Sequence, residues 1–356
     1  MISEETKDFP VTKTDHSRLN EIDMNDIPFG KVFTDHMFIM EHQNGKWSDP
    51  RIEPFQKLEL MPSTSVLHYG QGIFEGLKAH LDYNDNIILF RPDQNIKRMN
   101  KSAERMCMPQ IDENVFLHAL KQLVELEKEW IPKKEGCSLY IRPFMIGTDE
   151  FIGVKPSDTY KFIIFTSPTM NYYTKPVNVK IETKYSRACE GGVGAAKAAG
   201  NYAASLYPAK KASQEGYDQL IWTDAKEHKY VEESGTMNLM FQIEDKLVTS
   251  PLTDSILPGV TRDSVIKLAR DKGIKVEERQ ISIKEVIDGI QSGIIKDAFG
   301  TGTAATIIHI EKIGYKGEQY QLPPVSEREY SGKLKDELEA LKRGRVEDKY
   351  GWLYKV

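Results

Sequence analysis

The 356-residue sequence has only three cysteines, Cys107, Cys137 and Cys189. Their number is odd and none stands at metal-ligand spacing, so neither a disulfide framework nor a thiolate metal site is expected, and free thiols in a reducing compartment fit better. The sequence also lacks an apolar run long enough to cross a bilayer. Its opening, "MISEETKDFP", has neither the cationic nor the apolar segment of a secretory signal. A cytoplasmic protein without a membrane partner is the expectation. An excess of basic charge is missing as well: 48 lysines and arginines stand in mixed order against 53 aspartates and glutamates, for a net charge of −5. No basic stripe points to nucleic acid, and a small-molecule ligand fits better. Internal repeats and low-complexity tracts are absent.

What is present is a long, mixed pattern with 40% hydrophobic and 28% charged residues. That length suggests two domains. Strand-like and helix-like segments alternate, an α+β or α/β signature. Residues 87–92, "IILFRP", read as a buried strand, followed by a helix with Ile96, Met99, Ala103 and Met106 on one face. A second helical period runs through Phe116, Leu120, Leu123 and Trp130. In "SLYIRPFMIG", alternation puts Leu139 and Ile141 on one side of a strand and Tyr140 and Arg142 on the other. The polar, aromatic and proline-punctuated stretch at 167–178 is the best linker. The expected division is an N-terminal domain at 1–168, a linker at 169–178 and a C-terminal domain at 179–356. Beyond the linker come strand-like segments, a hairpin in "LMFQIEDKLVTSP", and helices from Thr261 and Ile283.

One lysine stands out. In "GGVGAAKAAGNY", residues 191–202, Lys197 has no side chain larger than valine between it and the start of the run. Lysines on surface helices usually sit among charged neighbours, so this one has room for something large and flat. A free lysine is mostly ammonium at neutral pH, whereas lysines that do covalent work form a Schiff base, as with the flat ring of pyridoxal phosphate. The same stretch also reads as a glycine-rich turn before a helix. Pyridoxal phosphate further demands an anion site, an acid near its ring nitrogen and a partner for its ring hydroxyl. "LPGVTRDSVIKLAR" places Pro-Gly before a helical run, so the N–H groups of Val260 and Thr261 could hold a phosphate, or simply begin a capped helix. "FGTGTAA" offers further N–H groups beside two threonine hydroxyls. In "YVEESGTMNL", Glu232 and Glu233 face opposite ways if the segment is a strand, so at most one points into a site.

Taken together, "FTDHM", "LHYGQGIFEGLKA", "FRPDQNIKRMNKSAERMCMP", "YIRPFMIGTDEFIGVKPS", "GGVGAAKAAGNYAASL", "EESGTMNLMF", "LPGVTRDSVIKLA" and "FGTGTAA" resemble the branched-chain amino acid aminotransferases, pyridoxal phosphate enzymes of fold type IV. Eight blocks in family order over most of the chain make the resemblance specific. It implies a smaller N-terminal α/β domain and a larger, strand-rich C-terminal pseudo-barrel domain. The implied reaction is reversible transfer of the amino group of leucine, isoleucine or valine to 2-oxoglutarate.

The resemblance also assigns residues. Lys197 looks like the Schiff-base and proton-shuttling lysine. Tyr202 is implied as partner of the ring hydroxyl, Glu233 of the ring nitrogen, and Arg91, Val260, Thr261 and Thr303 of the phosphate. Thr236 and the N–H of Ala304 resemble the substrate carboxylate site. Phe29, Tyr69, Phe74, Tyr140 and Met237 would line the side-chain pocket with Arg142 at its edge, the alternative for each aromatic being a core role. Ile152 lies in a loop that in this family reaches the other subunit's active site, which implies a homodimer. Some family members carry a Cys-X-X-Cys pair after the "GTA" block; here the sequence reads "GTAATIIHI", so no thiol switch is expected there. Within the fold, the rivals are a D-amino acid aminotransferase or an aminodeoxychorismate lyase. Outside catalysis, the rival is a silent pyridoxal phosphate carrier or regulatory binding protein.

Overall fold

The computed structural model describes residues 7–170 and 175–356. The chain forms two compact units. One takes in the chain up to 170 with Ala196–Ala199 and Leu341–Val356, the other 175–195 and Gly200–Ala340.

The first unit is built on β1 (His36–Gln43), β2 (Lys46–Pro54), β3 (Gly72–Phe74), β4 (Leu77–Leu81), β5 (Ile87–Phe90), β6 (Ser138–Gly147) and β7 (Tyr160–Thr169), with helices α1 (Ser65–Tyr69), α2 (Pro92–Arg105) and α3 (Glu113–Leu126). Each strand pairing in it is antiparallel, which makes it an α+β unit. Burial along β6 alternates as the period-two pattern requires, with Leu139 and Ile141 inside and Tyr140 and Arg142 on the other face. Strand β5 stops earlier than expected, because Arg91 turns into the left-handed region at φ 50° and Pro92, with its fixed φ and no N–H, opens α2. Ile96, Met99 and Ala103 form the buried face of that helix, while Met106 is its C-cap. Helix α3 begins where the Asp112 side chain accepts from the N–H groups of Asn114 and Val115. It ends before Trp130, which is buried in a separate 3₁₀ turn.

The second unit holds β8 (Val177–Ile181), α4 (Ala199–Gln214), β9 (Gln219–Thr223), β10 (Val231–Ser234), β11 (Met237–Ile243), β12 (Lys246–Thr249), α5 (Val260–Asp271), β13 (Lys275–Glu278), α6 (Ile283–Gln291), β14 (Ile295–Gly302), β15 (Thr306–Tyr315), β16 (Glu318–Gln321) and α7 (Tyr330–Lys342). The expected hairpin is β11 and β12, with Ile243 opposite Lys246. Strand β10 pairs with both β9 and β11, so the run β10-β9-β8-β15-β14-β11 closes on itself as a barrel. Closure removes two exposed strand edges. Val179, Ile221, Leu239, Phe241 and Ile308 belong to its core.

Three expectations about the division need correction. Thr169 is the last residue of β7, and Val177 and Asn178 belong to β8, so both flanks of the expected linker are strand; residues 171–174 lie outside the described residues. The last strand, β17 (Leu353–Lys355), pairs with β5 and returns the end of the chain to the first unit. Residues 196–199 also group there. No helix among the described residues is long and apolar enough to cross a membrane.

Candidate active site

In the first unit Lys197 is held by its main chain. Its N–H donates to the Ser102 Oγ on α2 at 2.9 Å, and its C=O accepts from the Phe74 N–H on β3 at 3.1 Å. Ala198 then bridges to Ile73 in antiparallel fashion. The small residues before α4 thus allow a short extended segment along β3, and the lysine amine reaches 4.9 Å from the centre of the Phe74 ring. A row of contacts continues from there. The Arg142 guanidinium lies 4.7 Å from the Phe74 centroid and donates to the Tyr140 hydroxyl at 2.9 Å; the Tyr140 ring meets Phe29 edge-on at 5.4 Å. The glycine of "FEGL" is required here, because a Cβ at Gly76 would stand 2.2 Å from the Tyr140 hydroxyl.

Arg91 is buried at the β5–α2 junction. Its N–H donates to the Trp352 carbonyl at 2.8 Å and its guanidinium lies 4.7 Å over the Trp352 ring. Tyr69 ends α1 and is exposed at 41%. Ile152 is 69% exposed in a loop anchored by Asp149, whose carboxylate accepts from the N–H groups of Asp158 and Thr159. Those donors hold the Asp149 carboxyl well below the ordinary range, outweighing the upward push of burial.

In the second unit Glu233 and Glu232 face opposite ways, as the strand reading requires. Glu233 is buried and accepts from the Asn238 side chain and the Leu257 N–H, both at 2.9 Å, and Arg187 pairs with it at 2.6 Å. Glu232 instead accepts from the Ser255 hydroxyl at 2.5 Å, and burial pushes its carboxyl up. Asn238 also donates to the Leu257 carbonyl. That links the hairpin to the approach of α5, whose N-cap is Gly259. A Cβ at Gly259 would meet the Asn238 Oδ1 at 2.1 Å, so glycine protects this link. It also leaves the first turn, Val260 and Thr261, without a side-chain cap, which suits an anion. Thr236 is exposed in the tight turn between β10 and β11, and Thr303 and Ala304 are half-buried in the turn between β14 and β15. Tyr202 is half-buried on α4.

Residues 72–313 match the family described as amino-transferase class IV. The chain is 47% identical over 338 residues to branched-chain-amino-acid aminotransferase 2 of Bacillus subtilis (strain 168), covering 94% of this chain and 93% of that one. It is 48% identical over 339 residues to branched-chain-amino-acid transaminase 1 of the same strain, with 94% and 95% covered. The chain belongs to the branched-chain amino acid aminotransferases of class IV. Among solved structures, the aminotransferase is similar to the branched-chain aminotransferase of Thermoproteus uzoniensis with norvaline, at 25% identity and a TM-score of 0.75 over 90% of this chain and 99% of that one. The Escherichia coli branched-chain amino acid aminotransferase gives 26% and 0.71, over 90% and 98%.

The structure brings together Lys197, Phe74, Arg142, Tyr140 and Phe29 in one unit, and Glu233, Thr236, Met237 and the start of α5 in the other. Met237 opens β11. At 5% exposure it is packed in the barrel core, where Cβ atoms at Gly300 and Gly302 would lie 3.0 and 3.2 Å from its side chain. Residue-level reading overlooked Arg187, Asn238, Glu75 and Ser102. A signal existed for Glu75, since a carboxylate between the apolar runs of "GIFEGLKA" must be paired if buried. Nothing local marked Ser102 among the polar residues of "MNKSAER".

Proposed function

We propose that this aminotransferase transfers the amino group of leucine, isoleucine or valine to 2-oxoglutarate, reversibly, with pyridoxal phosphate as cofactor, as a cytoplasmic homodimer. The observation that carries the reading is the Lys197 amine held over Phe74, in a row that ends in aromatics and includes the arginine Arg142. The donor set fits the cofactor. Arg91, the uncapped N–H groups of Val260 and Thr261 and the Thr303 hydroxyl would hold its phosphate. The buried, hydrogen-bonded Glu233 would keep its ring nitrogen protonated, and the Tyr202 hydroxyl would meet its ring oxygen. When bound, the cofactor supplies an electron sink for charge developing at the substrate α-carbon.

The chain's own groups then divide the work. The Lys197 Nζ takes the α-carbon proton as general base and returns a proton as general acid. Thr236 and the Ala304 N–H receive the substrate carboxylate, and Phe29, Phe74, Tyr69 and Tyr140 keep the side-chain region apolar. Support for the dimer comes from the exposed Ile152 and Val154, at 69% and 90%, on the Asp149-anchored loop. The test is an absorption spectrum of the purified, cofactor-loaded protein before and after leucine is added. The cofactor band should shift with leucine and return with 2-oxoglutarate; a spectrum that responds to D-amino acids and not to leucine would overturn the reading.

A further inference from the structure

The first unit contains a buried ion pair that its stability does not explain. Glu75 is fully buried, and Arg98 donates to its two oxygens from Nε and Nη2, both at 2.7 Å. Asn95 adds a donor at 2.8 Å. Desolvating two charges offsets most of what their attraction returns, so such a pair is a weak source of stability, and its best-attested use is to fix a register. What this pair fixes can be followed bond by bond. Glu75 is joined by a peptide bond to Phe74, whose N–H donates to the Lys197 carbonyl at 3.1 Å. The Lys197 N–H donates to the Ser102 Oγ at 2.9 Å. The Ser102 hydroxyl in turn donates to the Arg98 carbonyl, one helical turn back, at 3.0 Å. The path therefore closes: Phe74, Lys197, Ser102, Arg98, Glu75.

We infer that this ring makes Ser102 a positioning residue for Lys197, with the Glu75–Arg98 pair as the tie that keeps α2 and β3 in step on either side of it. Ser102 is 1% exposed and meets the lysine at its main-chain N–H. Its hydroxyl has both roles filled, accepting from Lys197 and donating to Arg98, so its rotamer and the direction of its lone pair are set. A lysine whose N–H and C=O are both anchored swings only from its Cα. The amine then begins each proton transfer from one place, and near-attack geometry of this kind is where small displacements cost rate. The inference rests on the reading of Lys197 as the catalytic lysine.

Ser102→Ala is the test, with Ser102→Thr as its partner, since a threonine hydroxyl in a helix can keep the bond to the carbonyl four residues back. The ring predicts that Ser102→Ala lowers kcat about tenfold and moves the KM for leucine less than about twofold. Without cofactor, hydrogen exchange in the peptide spanning Lys197 should accelerate. Ser102→Thr should recover most of both. If Ser102→Ala leaves kcat and exchange unchanged, or if it raises the KM in proportion to the loss of kcat, the ring does not position the lysine. Borohydride reduction of the loaded wild-type protein with peptide mapping separates the two readings. A label on another lysine removes the assignment of Lys197, whereas a label on Lys197 with an indifferent Ser102→Ala removes the ring alone.

Discussion

Arg142 donates to the hydroxyl of Tyr140, two residues before it on the same face of β6, while its charge lies over Phe74. Among the described residues no carboxylate pairs with it, and its Nε is buried without a partner. A pocket serving leucine must be apolar, yet glutamate brings a second carboxylate that is costly to bury alone. Arg142→Met is expected to raise the KM for glutamate and 2-oxoglutarate about tenfold, the loss of one charge-assisted contact, and to change that for leucine little. Steady-state kinetics with each amino donor checks this; parallel losses would make Arg142 a support of the fold.

Glu233→Gln should lower kcat far more than cofactor occupancy. A neutral amide cannot keep the ring nitrogen protonated: its oxygen can still accept from Asn238 and the Leu257 N–H, but an NH₂ replaces the oxygen that pairs with Arg187. Glu232→Gln should do little, because that side chain faces Ser255. Equal effects in turnover and cofactor titration would mean the wrong carboxylate has been chosen.

Arg91→Ala should weaken cofactor binding by roughly 1.5–3 kcal/mol, tenfold or more in affinity, with activity largely restored by excess cofactor. Trp352→Leu removes the ring under the guanidinium and should give a smaller loss of the same kind. Fluorescence titration of the cofactor-free protein measures both, and an unchanged dissociation constant for Arg91→Ala would exclude it from the phosphate site.

His309 on β15 sets a pH dependence of stability. Burial and the nearby cations Lys335 and Arg328 lower its pKa to about 4, and its Nε2 is buried without a partner. Above the ordinary value near 6.5 the ring is neutral in folded and unfolded chains alike. As pH falls from there toward about 4, the unfolded chain takes up a proton that the folded one refuses, so stability drops across that window. His309→Phe should flatten this part of the curve when urea midpoints are measured from pH 7 to 4. An unchanged slope would show that His309 titrates normally.

Much of this was legible in the chain itself. Strict alternation put Tyr140 and Arg142 on one face of β6, Pro-Gly marked the start of α5, and the pair Glu232 and Glu233 split as a strand demands. Short-range patterns could not show returns from far along the sequence. Nothing near "WLYK" says that it pairs with the strand that starts at Ile87, and nothing near Lys197 says that a serine on α2 holds it. Met237 was illegible for another reason: a methionine beside a site motif packs into a barrel core as readily as it lines a pocket, and its glycine neighbours on β14 lie far along the sequence.

The return of β17 to β5 laces the chain. The strand that opens the sheet of the first unit and the strand that borders it are made at opposite ends of synthesis, with the barrel threaded between them, so the first unit cannot be finished until the second has been translated. The Lys197 segment is a second stitch of the same thread. A protease cut at 171–174 would therefore free neither half: one fragment would carry β5 and Phe74, the other β17 and Lys197, and the first unit would hold both.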